Sequence, residues 1–442
     1  MTEAATKIEP DALPHPSFGE LLRVFGEIGV MSFGGPAGQI ALMHRMLVDE
    51  RRWLSEQQYL SALNFCMLLP GPEAMQLATY AGWRLHGVAG GLAAGLLFVL
   101  PGAALIFALS ALYLTYGATP LAAALFVGIK AAVVVIVVEA LLRVARRAMK
   151  TRLDWWIAAL AFVAIFVFAV PFPVIIVAAG LIGYLANRAS VPSKHEGSVA
   201  SAIASAPVTL GGTARTVALW LAIWMVPLAV LTLALGQQHV LAHIAWFFSK
   251  LAVVTFGGAY AVLAYMAQEV AGSYRWLTPG EMLDALGLAE TTPGPLILVT
   301  EFVGAIAAAR AEGGVNLWMA LAGAVVTLWA TFAPCFLWIF AGAPYIERLN
   351  AAPRLRSALA GVTAAVVGVI LNLTVWFAIH VLFRQVAPVQ LGPLRMTLPE
   401  LATLDWRALM LTALAALLLL VWHRSLPLTL AVSAALALVL HG

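Results

Sequence analysis

Phe33-Gly34-Gly35-Pro36 and, further on, Leu69-Pro70-Gly71-Pro72-Glu73 interrupt two stretches, Ser17–Glu50 and Ser55–His86, that are otherwise apolar enough to lie in lipid. Each of the four arms holds about 13 residues, ~20 Å of helix against a hydrocarbon core of roughly 30 Å. Such an arm cannot cross alone. Proline and glycine deny the backbone its helical bonds, and broken helices persist in a membrane only where protein or a water-filled cavity satisfies the freed groups. The same punctuation returns 223 residues later: Phe256-Gly257-Gly258, then Trp276-Leu277 for Trp53-Leu54, then Pro293-Gly294-Pro295. Gly90-Gly91 is then matched with Gly313-Gly314. After an insertion of ten residues, Pro101 meets Pro334, and Gly128 with Ala131-Ala132-Val133-Val134 meets Gly361 with Ala364-Ala365-Val366-Val367. Matches of this kind in register mark an internal duplication.

The rest of the chain fits a membrane setting. Of 442 residues, 62% are hydrophobic and 10% charged, against about 25% charged in soluble domains. The mean hydropathy is +0.94. Nine further apolar runs lie between Val88–Tyr116 and Leu426–Leu440. The net charge of +4 sits in loops and forms no basic, aromatic-interleaved stripe, so no nucleic-acid partner is expected. Cys66 and Cys335 lie in apolar runs and read as packing residues. The first 19 residues lack the apolar core of a signal peptide, so no cleavage is expected. No HExxH, GxSxG or Walker spacing occurs, and no metal or cofactor is expected. The organisation reads as a tail (1–17), a first membrane repeat (18–187), a polar linker (188–214), a connecting helix (215–238) and a second repeat (239–442).

Charge sets the orientation. Arg143, Arg146, Arg147, Lys150 and Arg152 follow the run Leu121–Leu142, whereas Arg348, Arg354 and Arg356 precede its counterpart. By the positive-inside rule, these equivalent helices run in opposite directions. The expected fold is an all-α polytopic membrane protein of two inverted-topology repeats, with Gly/Pro-broken helices, re-entrant or discontinuous, meeting at the midplane. This is a transporter architecture.

Helices that restart after such breaks present unpaired amides and positive dipole ends, which suit an anion. The expected substrate shell is Ser32, Gly34, Gly35, Gly71, Gln76, Thr255, Gly257, Gly258, Thr292 and Gly294, with Lys130 and Lys250 offsetting the anion's charge. The alternative is that the breaks are packing kinks, and that Lys250 and its counterpart Glu27 merely reach an interface. Glu139 and Asn372, also equivalent, read as helix-end polar groups. Glu73 follows Pro72 in the first turn of a restarting helix and is a proton-coupling candidate; its counterpart is Leu296, so the fold itself demands no carboxylate there.

Phe33-Gly34-Gly35, Asp49-Glu50-Arg51-Arg52-Trp53-Leu54-Ser55, Leu69-Pro70-Gly71-Pro72-Glu73-Ala74, Gln76-Leu77-Ala78-Thr79-Tyr80, Trp276-Leu277-Thr278-Pro279-Gly280-Glu281-Met282-Leu283 and Glu290-Thr291-Thr292-Pro293-Gly294-Pro295 resemble the chromate ion transporter family in its long, two-domain form. The resemblance covers Phe18–Leu142 and Trp246–Leu373; the last two helices carry no diagnostic motif. It implies export of chromate, a tetrahedral dianion, across the bacterial cytoplasmic membrane, driven by potential or proton gradient and conferring chromate resistance. It also implies thirteen membrane segments, the N-terminus inside and the C-terminus outside. Sulfate or another oxyanion as substrate, a membrane oxidoreductase, and a homo-oligomer are left open at this stage.

Overall fold

The computed structural model describes residues 14–186, 209–256, 258–346, 349, 352–392 and 394–441. The expected tail up to residue 13, most of the linker and Gly257 lie outside these. The chain is almost wholly helical. Its helices are α1 (Phe18–Met31), α2 (Gly35–His44), α3 (Glu56–Cys66), α4 (Glu73–Tyr116), α5 (Pro120–Ala148), α6 (Arg152–Phe168), α7 (Phe172–Leu185) and α8 (Leu210–Leu235). They continue as α9 (Val240–Val254), α10 (Ala259–Gln268), α11 (Pro279–Thr291), α12 (Val299–Ala309), α13 (Leu317–Gly342), α14 (Pro353–Leu382), α15 (Trp406–Ala416) and α16 (Leu426–His441). Strands β1 (Val386–Leu391) and β2 (Leu394–Pro399) form an antiparallel hairpin between α14 and α15. Five helices among the described residues are long and apolar enough to cross a membrane: α4, α5, α8, α13 with its short extension, and α14. The connecting helix α8 starts at Leu210, inside the expected linker, because Thr209 caps it by accepting a bond from the Gly212 N–H.

The broken segments are hairpins whose arms double back. Lys250 of α9 lies over the Tyr265 ring of α10 at 5.6 Å, and Phe247 packs on Tyr265 and Tyr274. Phe65 before the Pro70-Gly71-Pro72 break meets Tyr80 after it. Arg310 closes the base of the α11–α12 hairpin on Glu281 at 2.7 Å. Arg51, just beyond α2, reaches back to Glu27 of α1 at 3.6 Å, so all four arm pairs place their breaks at the hairpin tips.

The duplication reaches further than its motifs. A one-turn π-helix follows α2 at Arg45–Glu50 and α10 at Glu269–Ser273. Arg52 and Arg275, 223 residues apart, both hold a left-handed φ, 53° and 52°. At an offset of 254, α15 and α16 repeat α6 and α7: Arg152 and Trp406 start the first helix of each pair, Phe172 and Leu426 the second. Ala169 and His423, at the turns between them, share a φ of 50°. One sequence match is corrected. A Cβ on Gly90 would strike the Gly82 carbonyl, and one on Gly323 the Gly304 carbonyl, so Gly90 corresponds to Gly323. The insertion lies earlier than expected, and Gly313-Gly314 sits in it as a turn, with φ +79° at Gly313.

The halves are packed across one another. Helix α5 packs on α15 and α16, while α14 packs on α6 and α7. Glycine allows both approaches: a Cβ on Gly128 would run into the Ser433 carbonyl, and one on its counterpart Gly361 into the Ala179 carbonyl. Overpacking of this kind costs about 1–3 kcal/mol. Gly128→Val and Gly361→Val should each lower the thermal stability of the purified protein, while Gly211→Ala, which meets nothing within 4 Å, should leave it unchanged; fluorescence-detected unfolding in detergent checks this.

Candidate functional site

The four hairpin tips meet at one place. A cavity of about 20 Å³ is lined by Pro36 and Gln39 of α2, Pro72, Glu73 and Ala74 at the start of α4, Gly258 and Ala259 at the start of α10, and Pro295, Leu296 and Ile297 before α12. The volume is about that of one water. The starts of α2, α4 and α10, whose first amides have no partner within the helix, and the turn before α12 thus border the same spot.

Reciprocal bonds lock the tips together. The Gly71 N–H donates to the Thr255 carbonyl, and the Gly294 N–H to the Ser32 carbonyl, both at 2.9 Å. Each donor belongs to one half and each acceptor to the other. Gly71 and Gly294 have φ of 122° and 91°, where a side chain is strained. Gln39 Nε2 adds a bond of 2.6 Å to the Gly294 carbonyl, and Gln76 Nε2 one of 2.7 Å to the Pro70 carbonyl. The Oε1 atoms of both glutamines are buried without a partner.

The anticipated shell is distributed as follows. Gly34 and Gly35, with φ of 85° and 70°, form the tip between α1 and α2, and Gly258 does so before α10. Ser32, Thr255 and Thr292 are buried at the breaks, but their hydroxyls turn back on their own helices. They donate to the carbonyls of Ile28, Leu251 and Ala289 at 2.6, 2.6 and 3.1 Å. At Ser32 and Thr255 it is the carbonyl that bonds across the halves. The two lysines stand apart from the tips. Lys130 Nζ is 3.3 Å from Asp284 Oδ2, which also accepts from the Tyr113 hydroxyl at 2.9 Å. Asp284 lies eight residues before Thr292, ~12 Å along a helix. Lys250 is exposed over Tyr265.

Several neighbours of the tips escape sequence reading. The Tyr260 hydroxyl donates to the buried Glu290 at 2.6 Å, and Arg143 is near enough to act electrostatically on both. Arg143 also pairs with Glu139 at 2.5 Å. Arg147 Nη2 lies 3.2 Å from Met67 Sδ, close to Glu73. The basic end of α5, legible only as an orientation signal, therefore borders the tips of both halves. Glu73 is half-buried in the cavity wall and makes no hydrogen bond or ion pair with a described residue.

The halves are not packed alike around the tips. Helix α11 is buried on nearly every side against α5 and α14, whereas α3 touches neither closely. Leu283 is fully buried and its counterpart Leu60 is 44% exposed. Ala264 is buried and Ala41 exposed. Gly294→Val and Gly35→Val should abolish transport at normal membrane insertion, because both hold a positive φ at a tip. Gly90→Val, a packing change away from the tips, should lose activity only in proportion to lost protein; parallel immunoblot and transport assays separate these outcomes.

A family model described as chromate transporter matches residues 19–184 and 242–439. The chain is 36% identical over 371 residues to a chromate transport protein of Pseudomonas aeruginosa, covering 83% of this chain and 82% of that one. It is 31% identical over 376 residues to a probable chromate transport protein of Synechococcus elongatus, covering 84% and 86%. With a chromate transport protein of Cupriavidus metallidurans the figures are 28% over 358 residues, 81% and 82%. No solved structure matches the chain. With both halves covered and the paired breaks in place, the chain belongs to the chromate transporter family.

Proposed function

We propose that this multi-pass membrane protein exports chromate from the bacterial cytoplasm by alternating access, with the substrate held where the four hairpin tips converge. The convergence carries the reading. Three helix starts, those of α2, α4 and α10, border the point where the tips converge, and such starts suit a tetrahedral oxyanion held by amides. The cavity has room for a water and must widen to take an ion of five heavy atoms, so the tips have to part during the cycle. Sulfate shares chromate's shape and charge and is the natural competitor.

The halves act as inverted repeats in this reading. Five crossing helices, the second part of α4 and then α5 to α8, separate the first pair of hairpins from the second, and an odd number reverses direction. Basic residues at the end of α5 and the start of α14 put those ends in the cytoplasm, with the N-terminus inside and the C-terminus outside. The loosely packed α2 and α3 then face the cytoplasm, and the tightly packed α10 and α11 face outward, which is an inward-open arrangement. Cysteines placed singly at Lys150 and Arg354 in a Cys-free background should react only with reagent on the cytoplasmic side, and those at Ala118 and Glu312 only from outside. Opposite labelling of Lys150 and Arg354 would remove the inverted relation.

Glu73 is the coupling group. It stands in the cavity wall with no salt bridge to a described residue, Arg147 acting on it only from beyond contact, and a dianion arriving beside it is repelled unless a proton neutralises the carboxylate. Uptake of radiolabelled chromate into proteoliposomes, with pH and potential imposed separately, should show a pH-dependent rate in the wild type. In Glu73→Gln that dependence should flatten while sulfate still competes for the site. Unchanged pH dependence at equal protein would sink this role, and absence of chromate uptake in the wild type would sink the function.

A further inference from the structure

A second, larger cavity of about 300 Å³ lies away from the tips. Its wall includes Gln268 at the end of α10, Asn372, Trp376 and His380 on the last turns of α14, Phe166 of α6 and Thr397 of the hairpin. Helix α10 has ten residues, so its length separates this cavity from the Gly258 tip by ~15 Å. The cavity lies at the end of α14 opposite its basic start, on the outward side in the orientation proposed above.

Its polar groups lack partners. Asn372 is 3% exposed, its Nδ2 is buried without a hydrogen bond, and its carboxamide bonds to no described residue. An amide so placed is destabilising unless something else satisfies it. Gln268, half-buried beside it, makes no side-chain bond to a described residue either. The His380 ring turns Nδ1 to the Trp376 carbonyl at 2.8 Å, which leaves Nε2 free. Among the described residues no aspartate or glutamate lines the cavity.

The counterpart positions sharpen the point. At the repeat offset of 233, Asn372, Trp376 and His380 correspond to Glu139, Arg143 and Arg147, the charged cluster beside the tips on the cytoplasmic side. The duplication therefore put a salt-bridged, basic surface at one mouth and an uncharged amide-lined chamber at the other.

We propose that this chamber is a release station for a tetrahedral oxyanion, held by the carboxamides of Asn372 and Gln268 beneath the β-hairpin. It rests on the oxyanion reading above. Neutral amide donors without a fixed cation hold a dianion loosely, as a site that must let its ligand go requires. Phe166 and Trp376 wall the chamber and limit water around the ion.

Selenate is a tetrahedral dianion whose selenium is visible by anomalous scattering. Crystals of the full chain grown in lipid and soaked in selenate should show a selenium peak within hydrogen-bond distance of Asn372. Asn372→Asp, which keeps the side-chain shape and adds a repelling charge, should raise the selenate concentration for half occupancy at least tenfold. Gln268→Glu, at a half-buried position, should act in the same direction if the first variant folds poorly. No peak in the wild type, an undiminished peak in both variants, or acyl-chain density filling the chamber would overturn the proposal. A wild-type protein that transports chromate with the chamber empty defeats this proposal alone. A selenium peak in a protein that moves no chromate defeats the transport reading and, with it, the release role, leaving only an oxyanion-binding chamber.

Discussion

Two backbone hydrogen bonds hold the centre of the molecule: Gly71 N–H to the Thr255 carbonyl and Gly294 N–H to the Ser32 carbonyl. Within hydrocarbon an unpaired peptide group costs several kcal/mol, and a broken helix creates such groups by design. Here each break satisfies the other half's break. The four tips are thereby drawn to one point, and the amides left over at the helix starts face a single cavity. The doubled-back arms, the glutamine props at Gln39 and Gln76, and the glycines that alone tolerate the required φ all serve this meeting point.

The halves share a backbone and differ in chemistry. Asp284 holds both Lys130 and the Tyr113 hydroxyl, whereas the positions corresponding to Lys130, Asp284 and Tyr113, namely Thr363, Ser61 and Ile346, carry no charge. Arg143 and Arg147 border the tips, whereas Trp376 and His380 line a chamber. A duplicated scaffold needs only its turns and close approaches preserved. Its side chains are free to make one face basic and the other neutral, which a vectorial carrier of anions can use.

Much of this was legible in the sequence, and the limits have physical causes. The breaks, their pairing and the helical membrane fold, though not the β-hairpin after α14, follow from FGG, PGP and the apolar runs, because glycine and proline leave the same mark wherever a helix must stop. The match of α15–α16 to α6–α7 leaves no such mark: a left-handed turn is made by Ala169 in one copy and His423 in the other. Gly90 was paired with the wrong glycine because a turn glycine and a packing glycine look alike in one dimension. That Ser32, Thr255 and Thr292 would bond their own helices is ordinary behaviour for hydroxyls near a helix end, and only the missing geometry made them look like ligands. Lys130 could not be assigned to Asp284 from spacing, since 154 residues separate them. The chamber at Asn372 is formed by four segments distant in the chain and was invisible for the same reason.

The crossed packing also sets a clock on synthesis. Gly128 of α5 rests against Ser433 of α16, and 305 residues separate them. At about 5–20 residues per second, α5 waits roughly 15–60 s after emerging before its partner exists. Throughout that interval the face of α5 around Gly128 lies open to lipid, the insertion machinery and membrane proteases, whereas the first pair of hairpin tips meets its partners once Thr255 and Gly294 have been made. A nascent chain that stalls late is therefore not a half-working carrier but an unclosed one. Helix α16, made long after α5, is the one that covers this face of the first half.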